Sequence, residues 1–363
     1  MPHEEIAIST PGRICLFGEH QDYLMLPVIA VAISLRLTIR GTRHAGPEVH
    51  LSLPDIGSSE IMHLNNGLAY TRERDYFRSG IRVMKRHGFT FSEGVNCAVH
   101  GSIPINAGTS SSTALVVSWI HFLGLASDQR TLLSPMHCAH IAHEAEVTEF
   151  GEPGGMMDHY STALGGTIMI DFTPSFRIRR VSLPAIPIVL GNSREPKDTR
   201  KILARVKNRM IAIAADLSLG RNSRSLEGLT PESAQKLKGR LSSDDFALLA
   251  ATVDNHRLTR AAATILESAR PDMSGLANLM NLHQDNLRNI LHISTPKIDR
   301  MIDASLAAGA ISAKINGSGG GGCMFALAPG CAEQVAESIE REGGTAYVVS
   351  VDTGTKMDSG VIL

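Results

Sequence analysis

Apolar positions divide the chain into two stretches of different rhythm. Residues 5–40 begin Ile6-Ala7-Ile8, pass through a glycine-punctuated segment at 11–23 and resume in the β-branched run Val28-Ile29-Ala30-Val31-Ala32-Ile33; this predicts strand, loop, strand. A second strand block, 95–104, leads through a Gly/Ser loop into 114–125, which is apolar on nearly every side and so predicts a buried helix. Residues 136–150 carry alanines and no Gly or Pro, predicting a helix that ends in a loop at 151–155, with a further strand at 166–172. Prolines 174, 184 and 187 interrupt the pattern. The domain boundary is expected there, giving domains 1–180 and 181–363. The second half opens with a strand at 186–190 and then reads as helices at 199–217, 231–251, 256–267, 273–290 and 296–308. It closes on strand, glycine loop, strand over 311–327, a helix at 332–341 and a strand near 346–351. Strands and helices alternate without regular βαβ spacing, which favours an α+β fold over a doubly wound sheet.

Length and charge narrow the functional classes. A chain of 363 residues has material for two domains and excludes disorder at 43% hydrophobic content. Lys plus Arg number 35 against 36 Asp plus Glu, and no long run of one sign occurs. A nucleic-acid partner, which needs a basic excess or stripe, is not expected, nor is a membrane surface. A small anionic ligand needs only a local cluster. The five cysteines are scattered without a C-x-x-C pair, the first residues lack a signal-peptide pattern, and the apolar stretches 26–35 and 114–126 are too short or too broken to span a bilayer. A cytoplasmic protein with reduced thiols is expected. The cluster Lys197, Arg200, Lys201, Arg205, Lys207 and Arg209 reads mainly as a solvated helix face, with a phosphate or substrate clamp as the lesser alternative.

The 33 glycines exceed a typical share only slightly, yet 13 of them fall within the 55 residues of segments 11–23, 104–113, 146–167 and 314–323, where chance would place about 5. Gly108-Thr109-Ser110-Ser111-Ser112-Thr113 sits between a strand and a helix. Such a loop can hold phosphate on free helix N–H groups, or serve only as an ordinary N-cap. It lacks the G-K-[ST] of a Walker A loop. Gly317-Ser318-Gly319-Gly320-Gly321-Gly322 satisfies G-x-G-x-x-G, but the following text reads as a strand, so the dinucleotide reading fails on context. Backbone must pass close to another segment or to a ligand there. Arg13, Glu19, His20 and Asp22 lie in apolar text, as suits polyol recognition or an internal ion pair. Asp158 follows a glycine loop, and Glu146 follows Ala139 and Ala142 on one helix face and needs a partner. His137, His140 and His143, at spacings of three, cannot close on one metal ion and are read as structural.

Together these segments resemble the GHMP kinase superfamily of galactokinase, homoserine kinase, mevalonate kinase and phosphomevalonate kinase. Pro11 to Tyr23, P-G-R-I-C-L-F-G-E-H-Q-D-Y, is similar to the galactokinase signature P-G-R-[VI]-x-L-[IF]-G-E-H-x-D-Y. Residues 108–113 resemble the second motif, G-L-S-S-S-A. Ala145-Glu146 with Gly155-Met156-Met157-Asp158 resembles A-E-H…C-G-I-M-D at the same twelve-residue gap, and 314–323 resembles the third motif. The motifs occur in family order and span both halves.

The resemblance implies an α+β, two-domain architecture: a ribosomal S5 domain 2-like N-terminal domain with a left-handed βαβ feature, and a ferredoxin-like C-terminal domain. It implies an ATP- and Mg²⁺-dependent kinase for a small alcohol, monomeric or homodimeric. Asp158 and Arg13 would be catalytic. Gly108, Thr109, Ser110, Ser111 and Ser112, with Gly319 and Gly320, would hold ATP, and Ser112 and Glu146 would hold the metal. Glu19, His20, Asp22 and Gly155 would bind the acceptor. Arg at position 13 and an acid at 22 lean toward galactokinases, hence a sugar phosphorylated at its anomeric hydroxyl; mevalonate kinases generally have Lys at the first and no acid at the second. A non-sugar alcohol such as mevalonate, and a non-catalytic sugar- and ATP-binding regulator, are the alternatives. Gln21 and Leu24-Met25-Leu26, where galactokinases read T-D-Y-N-G-G, leave the identity of the sugar open.

Overall fold

The computed structural model describes residues 5–65, 68–152, 154–196, 204–217 and 226–358. Twelve strands form two sheets among these residues. The first strand, β1 (Ile6–Phe17), runs unbroken through the segment expected to be a loop from residue 11. Its register against β2 (Val28–His44) shifts between Pro11 and Gly12. A bulge is where a strand tolerates a proline, so the proline–glycine pair bends β1 instead of ending it.

Residues 43–80 carry no clear expectation from sequence and contain β3 (Glu48–Leu53), β4 (Ser58–His63) and the start of α1 (Tyr76–Arg86). After β5 (Gly94–Gly101) come α2 (Ser111–Ala126), α3 (Pro135–Glu146), α4 (Met157–Leu164), β6 (Thr167–Asp171) and β7 (Arg177–Arg180). With β12 (Lys356–Met357) from the end of the chain, the sheet order is β12-β1-β2-β5-β3-β4, with β6 pairing β2 and β7 pairing β6. β3 and β5 pair in parallel, their connection passing through α1. Helices α1 to α4 share one core with this sheet. Helix α2 runs through its middle: Trp119 stacks on Phe122, meets Phe77 edge-on and donates its indole N–H to the Phe77 carbonyl at 3.0 Å.

The second sheet comprises β8 (Ile188–Asn192), β9 (Ser312–Ile315), β10 (Cys323–Leu327) and β11 (Thr345–Val349) in the antiparallel order β11-β8-β10-β9. That order gives the ferredoxin-like half. Its helices are α5 (Arg209–Asp216), α6 (Pro231–Gln235), α7 (Ser243–Leu266), α8 (Met273–Asn289), α9 (Pro296–Ala307) and α10 (Ala332–Arg341). The expected helices 231–251 and 256–267 are divided differently. Ser242 caps α7, its hydroxyl accepting from the Asp245 N–H at 3.2 Å, and no Gly or Pro interrupts the chain from there to Leu266. Of the basic cluster, Lys197, Arg200 and Lys201 lie outside the described residues.

The halves share an apolar core in which Ile14, Leu16 and Phe17 of β1 meet Leu190, Phe325 and Met280. The chain's end also crosses back. Arg36 gathers it by bonding Asp352 (2.7 Å) and the Gly354 carbonyl (2.9 Å), and β12 (Lys356–Met357) then pairs with β1. Gly165 permits this crossing, since it has φ +68° and a Cβ there would sit 1.8 Å from the Gly354 nitrogen. Gly165→Ala should therefore destabilise the protein by about 2–3 kcal/mol in urea denaturation. Gly57→Ala, at φ +61° but in open space, should cost only about 1 kcal/mol.

Candidate active site

Arg13 organises the site from inside β1. Its guanidinium donates through Nε and Nη2 to the two Asp158 carboxylate oxygens at 2.8 and 2.7 Å, and through Nη1 to the Gly108 carbonyl at 2.5 Å. Its backbone N–H donates to the Thr109 carbonyl at 3.1 Å. A planar fork matches a carboxylate in this way, whereas lysine would not. Burial would raise the Asp158 pKa, but the Arg13 charge and hydrogen bonds, with a 2.8 Å bond from Ser110, outweigh it and hold Asp158 below the usual carboxylate range.

Ser110 departs from an ordinary N-cap. It is the N-cap residue of α2, in the left-handed region at φ 63°, and its side chain makes no capping bond. The hydroxyl is committed to Asp158 instead. The first-turn N–H groups of a sixteen-residue helix therefore remain open to an anion, with the positive end of the helix dipole behind them.

Another wall of the cavity, formed by the candidate acceptor residues, comes from the turn after β1. His20, at φ 62°, faces the Tyr23 hydroxyl through Nδ1 (2.8 Å) and the Ser318 carbonyl through Nε2 (3.0 Å). A carbonyl only accepts, so Nε2 carries the proton and Nδ1 accepts from Tyr23. Asp22 takes the Tyr23 N–H on Oδ1 at 2.8 Å, and a Cβ at residue 155 would lie 1.6 Å from its Oδ2. Gly155 thus makes room for the carboxylate. Burial, followed by the Asp158 charge, pushes Asp22 up to about 6 against the opposing pull of the Tyr23 N–H and Lys207. Glu19 is placed differently from Asp22. Its carboxylate is paired with fully buried Lys314, and His283 stands 3.8 Å away. Its charge is spent inside the protein, which fits the internal ion-pair alternative.

Ser112 and Glu146 line the same cavity, of about 960 Å³, as Arg13, Asp22, Ser110 and Asp158. Glu146 finds its partner in His159, with Oε2 at 2.8 Å from Nε2, but the contact lacks hydrogen-bond geometry and leaves that buried oxygen unsatisfied. No cluster of three or more His, Cys, Asp or Glu suited to a metal occurs among the described residues. A hydroxyl and one carboxylate with spare acceptor capacity fit Mg²⁺, which takes few protein oxygens and completes its shell with phosphates and water. Burial brings the His143 pKa down to about 4, and its ring packs edge-on against His159.

The second glycine loop divides between the cavity and the packing around it. Gly317 and Ser318 reach the cavity, but Gly319 and Gly320 are absent from its lining. A Cβ on Gly319 would meet the Ile293 carbonyl at 2.4 Å, the Gly320 N–H donates to that carbonyl at 2.7 Å, and Gly322 presses on the Ala107 carbonyl. These glycines serve close backbone packing. Sequence reasoning also missed Asn316. It accepts from the Cys15 N–H at 2.8 Å and donates to the Gly108 carbonyl at 2.9 Å, tying β1, the phosphate loop and the second sheet together. No local pattern marks such a residue.

Comparison with known proteins places this geometry. Residues 75–166 match the family described as GHMP kinases N terminal domain, 262–345 that described as GHMP kinases C terminal, and 2–43 the galactokinase galactose-binding signature. The chain belongs to the GHMP kinases. A mevalonate kinase from Pyrococcus abyssi is 26% identical, with 97% of this chain and 96% of that protein aligned. A galactokinase from Haemophilus influenzae is also 26% identical, over 97% and 95%. Among solved structures, Lactococcus lactis galactokinase complexed with galactose superposes with a TM-score of 0.85 at 20% identity, covering 97% of this chain and 95% of that one. Methanococcus jannaschii mevalonate kinase gives 0.74 at 18%, covering 96% and 99%. The α+β, two-domain GHMP kinase fold is thereby established. No helix among the described residues is long and apolar enough to cross a membrane.

Two outcomes follow for this GHMP kinase. Gly155→Ala should raise the acceptor KM at least about tenfold by displacing Asp22, with the MgATP KM little changed in steady-state assays. For the acceptor, kcat/KM should fall as pH drops through about 6, where Asp22 gains its proton, while Asp158 stays ionised. Asp22→Asn should remove that limb from the pH profile.

Proposed function

We propose that the chain is an ATP-dependent kinase that moves the γ-phosphoryl group of ATP to a hydroxyl of a sugar, the anomeric hydroxyl in the galactokinase-like manner. The observation that carries this reading is the Arg13–Asp158 pair set beside the uncapped start of α2. An ionised carboxylate and an anion-binding helix end meet in one cavity, as phosphoryl transfer to an alcohol needs.

The charges at the acceptor end support a sugar over mevalonate. Arg13 is matched by Asp158 and Lys314 by Glu19, and Lys207 stands under the charge of Asp22. No unmatched cation among the described residues awaits an acceptor carboxylate. The match of residues 2–43 to the galactose-binding signature points the same way.

In this mechanism the α2 N–H groups and Ser111 cradle the phosphates, and Ser112 and Glu146 would hold Mg²⁺, which neutralises phosphate charge when bound. Asp22 and His20 orient the sugar ring. Asp158 accepts a hydrogen bond from the attacking hydroxyl. Held below the ordinary carboxylate range, it is a weak base at neutral pH and takes the proton only as the new O–P bond forms and the bond to ADP breaks. The Arg13 N–H groups not used by Asp158 and Gly108 face the charge on the transferring group. Such catalysis is positioning plus electrostatics.

Purified protein with MgATP should release ADP with at least one member of a panel of hexoses, pentoses, heptoses and uronic acids, and the product should be acid-labile, as an anomeric phosphate is. Turnover with mevalonate or homoserine alone would transfer the reading to a non-sugar alcohol. No turnover with any acceptor would favour a non-catalytic binder. Asp158→Ala should lose about 10³-fold or more in kcat while still binding ATP in calorimetry; full activity would remove Asp158 from the mechanism.

A further inference from the structure

Lys207 lies on a π-helical turn (Ala204–Asn208) just before α5 and is 5% exposed. It makes no hydrogen bond or ion-pair contact with any described residue. Its ammonium sits 4.6 Å from the centre of the Tyr23 ring. A buried ammonium held by a ring face alone is costly unless a negative charge lies near. Asp22, next to Tyr23, provides it: burial lowers the Lys207 pKa, and the Asp22 charge opposes that shift. The lysine stands behind Tyr23 and Asp22, which line the cavity where it does not. Its neighbours on the same turn are engaged elsewhere. Arg205 donates to the Leu291 carbonyl at 2.8 Å, and Arg209 pairs with Asp245. Among the described members of the basic cluster, Arg205 and Arg209 are exposed and Lys207 is the one directed at the Tyr23–Asp22 wall.

We propose that Lys207 is a specificity-determining residue for acceptor charge: with Asp22 it sets the net charge of the acceptor end to zero, and this balance excludes sugars that carry a carboxylate. The proposal rests on the sugar-kinase reading above. At short range in a poorly screened cavity, one unbalanced unit charge changes the preference between a neutral and an anionic ligand by an order of magnitude or more. Removing the Asp22 charge leaves the positive field of Lys207 unopposed and favours an anionic sugar. Removing Lys207 leaves Asp22 beside Asp158 and repels one further. A lysine that only supported the Tyr23 ring would affect neutral and anionic acceptors alike.

The test uses matched neutral and anionic probes, galactose with galacturonate and glucose with glucuronate, on the full chain with saturating MgATP. The readout is the ratio of kcat/KM for uronate to that for hexose. Asp22→Asn should raise this ratio by about tenfold or more, and Lys207→Met should lower it. In Asp22→Asn/Lys207→Met the gain should disappear. Lys207→Arg should keep the wild-type ratio, and the MgATP KM should be unchanged in Lys207→Met. If Asp22→Asn turns over too slowly to measure, calorimetric Kd values for uronate in Asp22→Asn and in the double variant give the same comparison, with tighter binding expected when Lys207 is present. Equal ratios in all variants, a wild-type preference for uronates, or a raised MgATP KM in Lys207→Met would each overturn the proposal while leaving a sugar kinase. Absence of ADP release with every sugar would instead overturn the sugar-kinase reading, and this inference with it.

Discussion

Everything at the site hangs on one guanidinium. Arg13 fixes Asp158, grips the 108–113 loop through the Gly108 carbonyl and is itself locked in the most extensive pairing of the first sheet, between β1 and β2. Because Arg13 is buried, losing Asp158 would strand its charge in a poor dielectric. The same bidentate geometry sets the electrostatic character of Asp158: ionised, correctly aimed and weakly basic. Ser110 completes the arrangement by giving its hydroxyl to Asp158, so that stabilising the carboxylate and exposing the helix N-terminus are one structural event.

The second half of the chain contributes through polar struts across the shared core. Lys314, on β9, spans to Glu19 and to the Cys15 carbonyl (3.2 Å), and Asn316 bridges β1 to Gly108. A buried ion pair of this kind is weak support for stability in itself, but its geometry positions the turn that holds His20 and Asp22. The glycine run 319–322 lets that segment lie close against Ile293 and Ala107. The cavity is thus assembled from both halves, and the return of the chain end to β1 fastens them once more.

Much of the architecture was legible in the sequence. Buried helix α2, the strands around residues 28–33 and 166–172, and the final strand–loop–strand–helix–strand order follow from apolar runs and breakers. Two errors have a common source. Pro11-Gly12 looked like loop text and proved to be a bulge in a long strand, and the division of 231–267 was misjudged because Ser242, not composition, starts the long helix. Local propensity gives way when a tertiary partner or a cap supplies the missing hydrogen bonds. Within residues 43–80, β4 is the edge strand and buries only Met62, so it carries little pattern, whereas β3 lies between β5 and β4 and does alternate, burying Val49 and Leu51, but is too short to stand out.

By itself the sequence determined the residue types that chemistry needs and their order: Arg13, Asp22, the serine-rich loop, Glu146 and Asp158, with glycine concentrated around them. Only the tertiary structure decided what each one does. It separated Glu19, spent on Lys314, from Asp22, which lines the cavity; it left Gly319 and Gly320 outside the cavity lining and set Asn316 and Lys207 behind its walls, against Gly108 and Tyr23. The reason is physical. Charge, burial and hydrogen-bond partners are properties of positions in space, and at this site the deciding partners come from segments as far apart in the chain as Cys15 and Asn316.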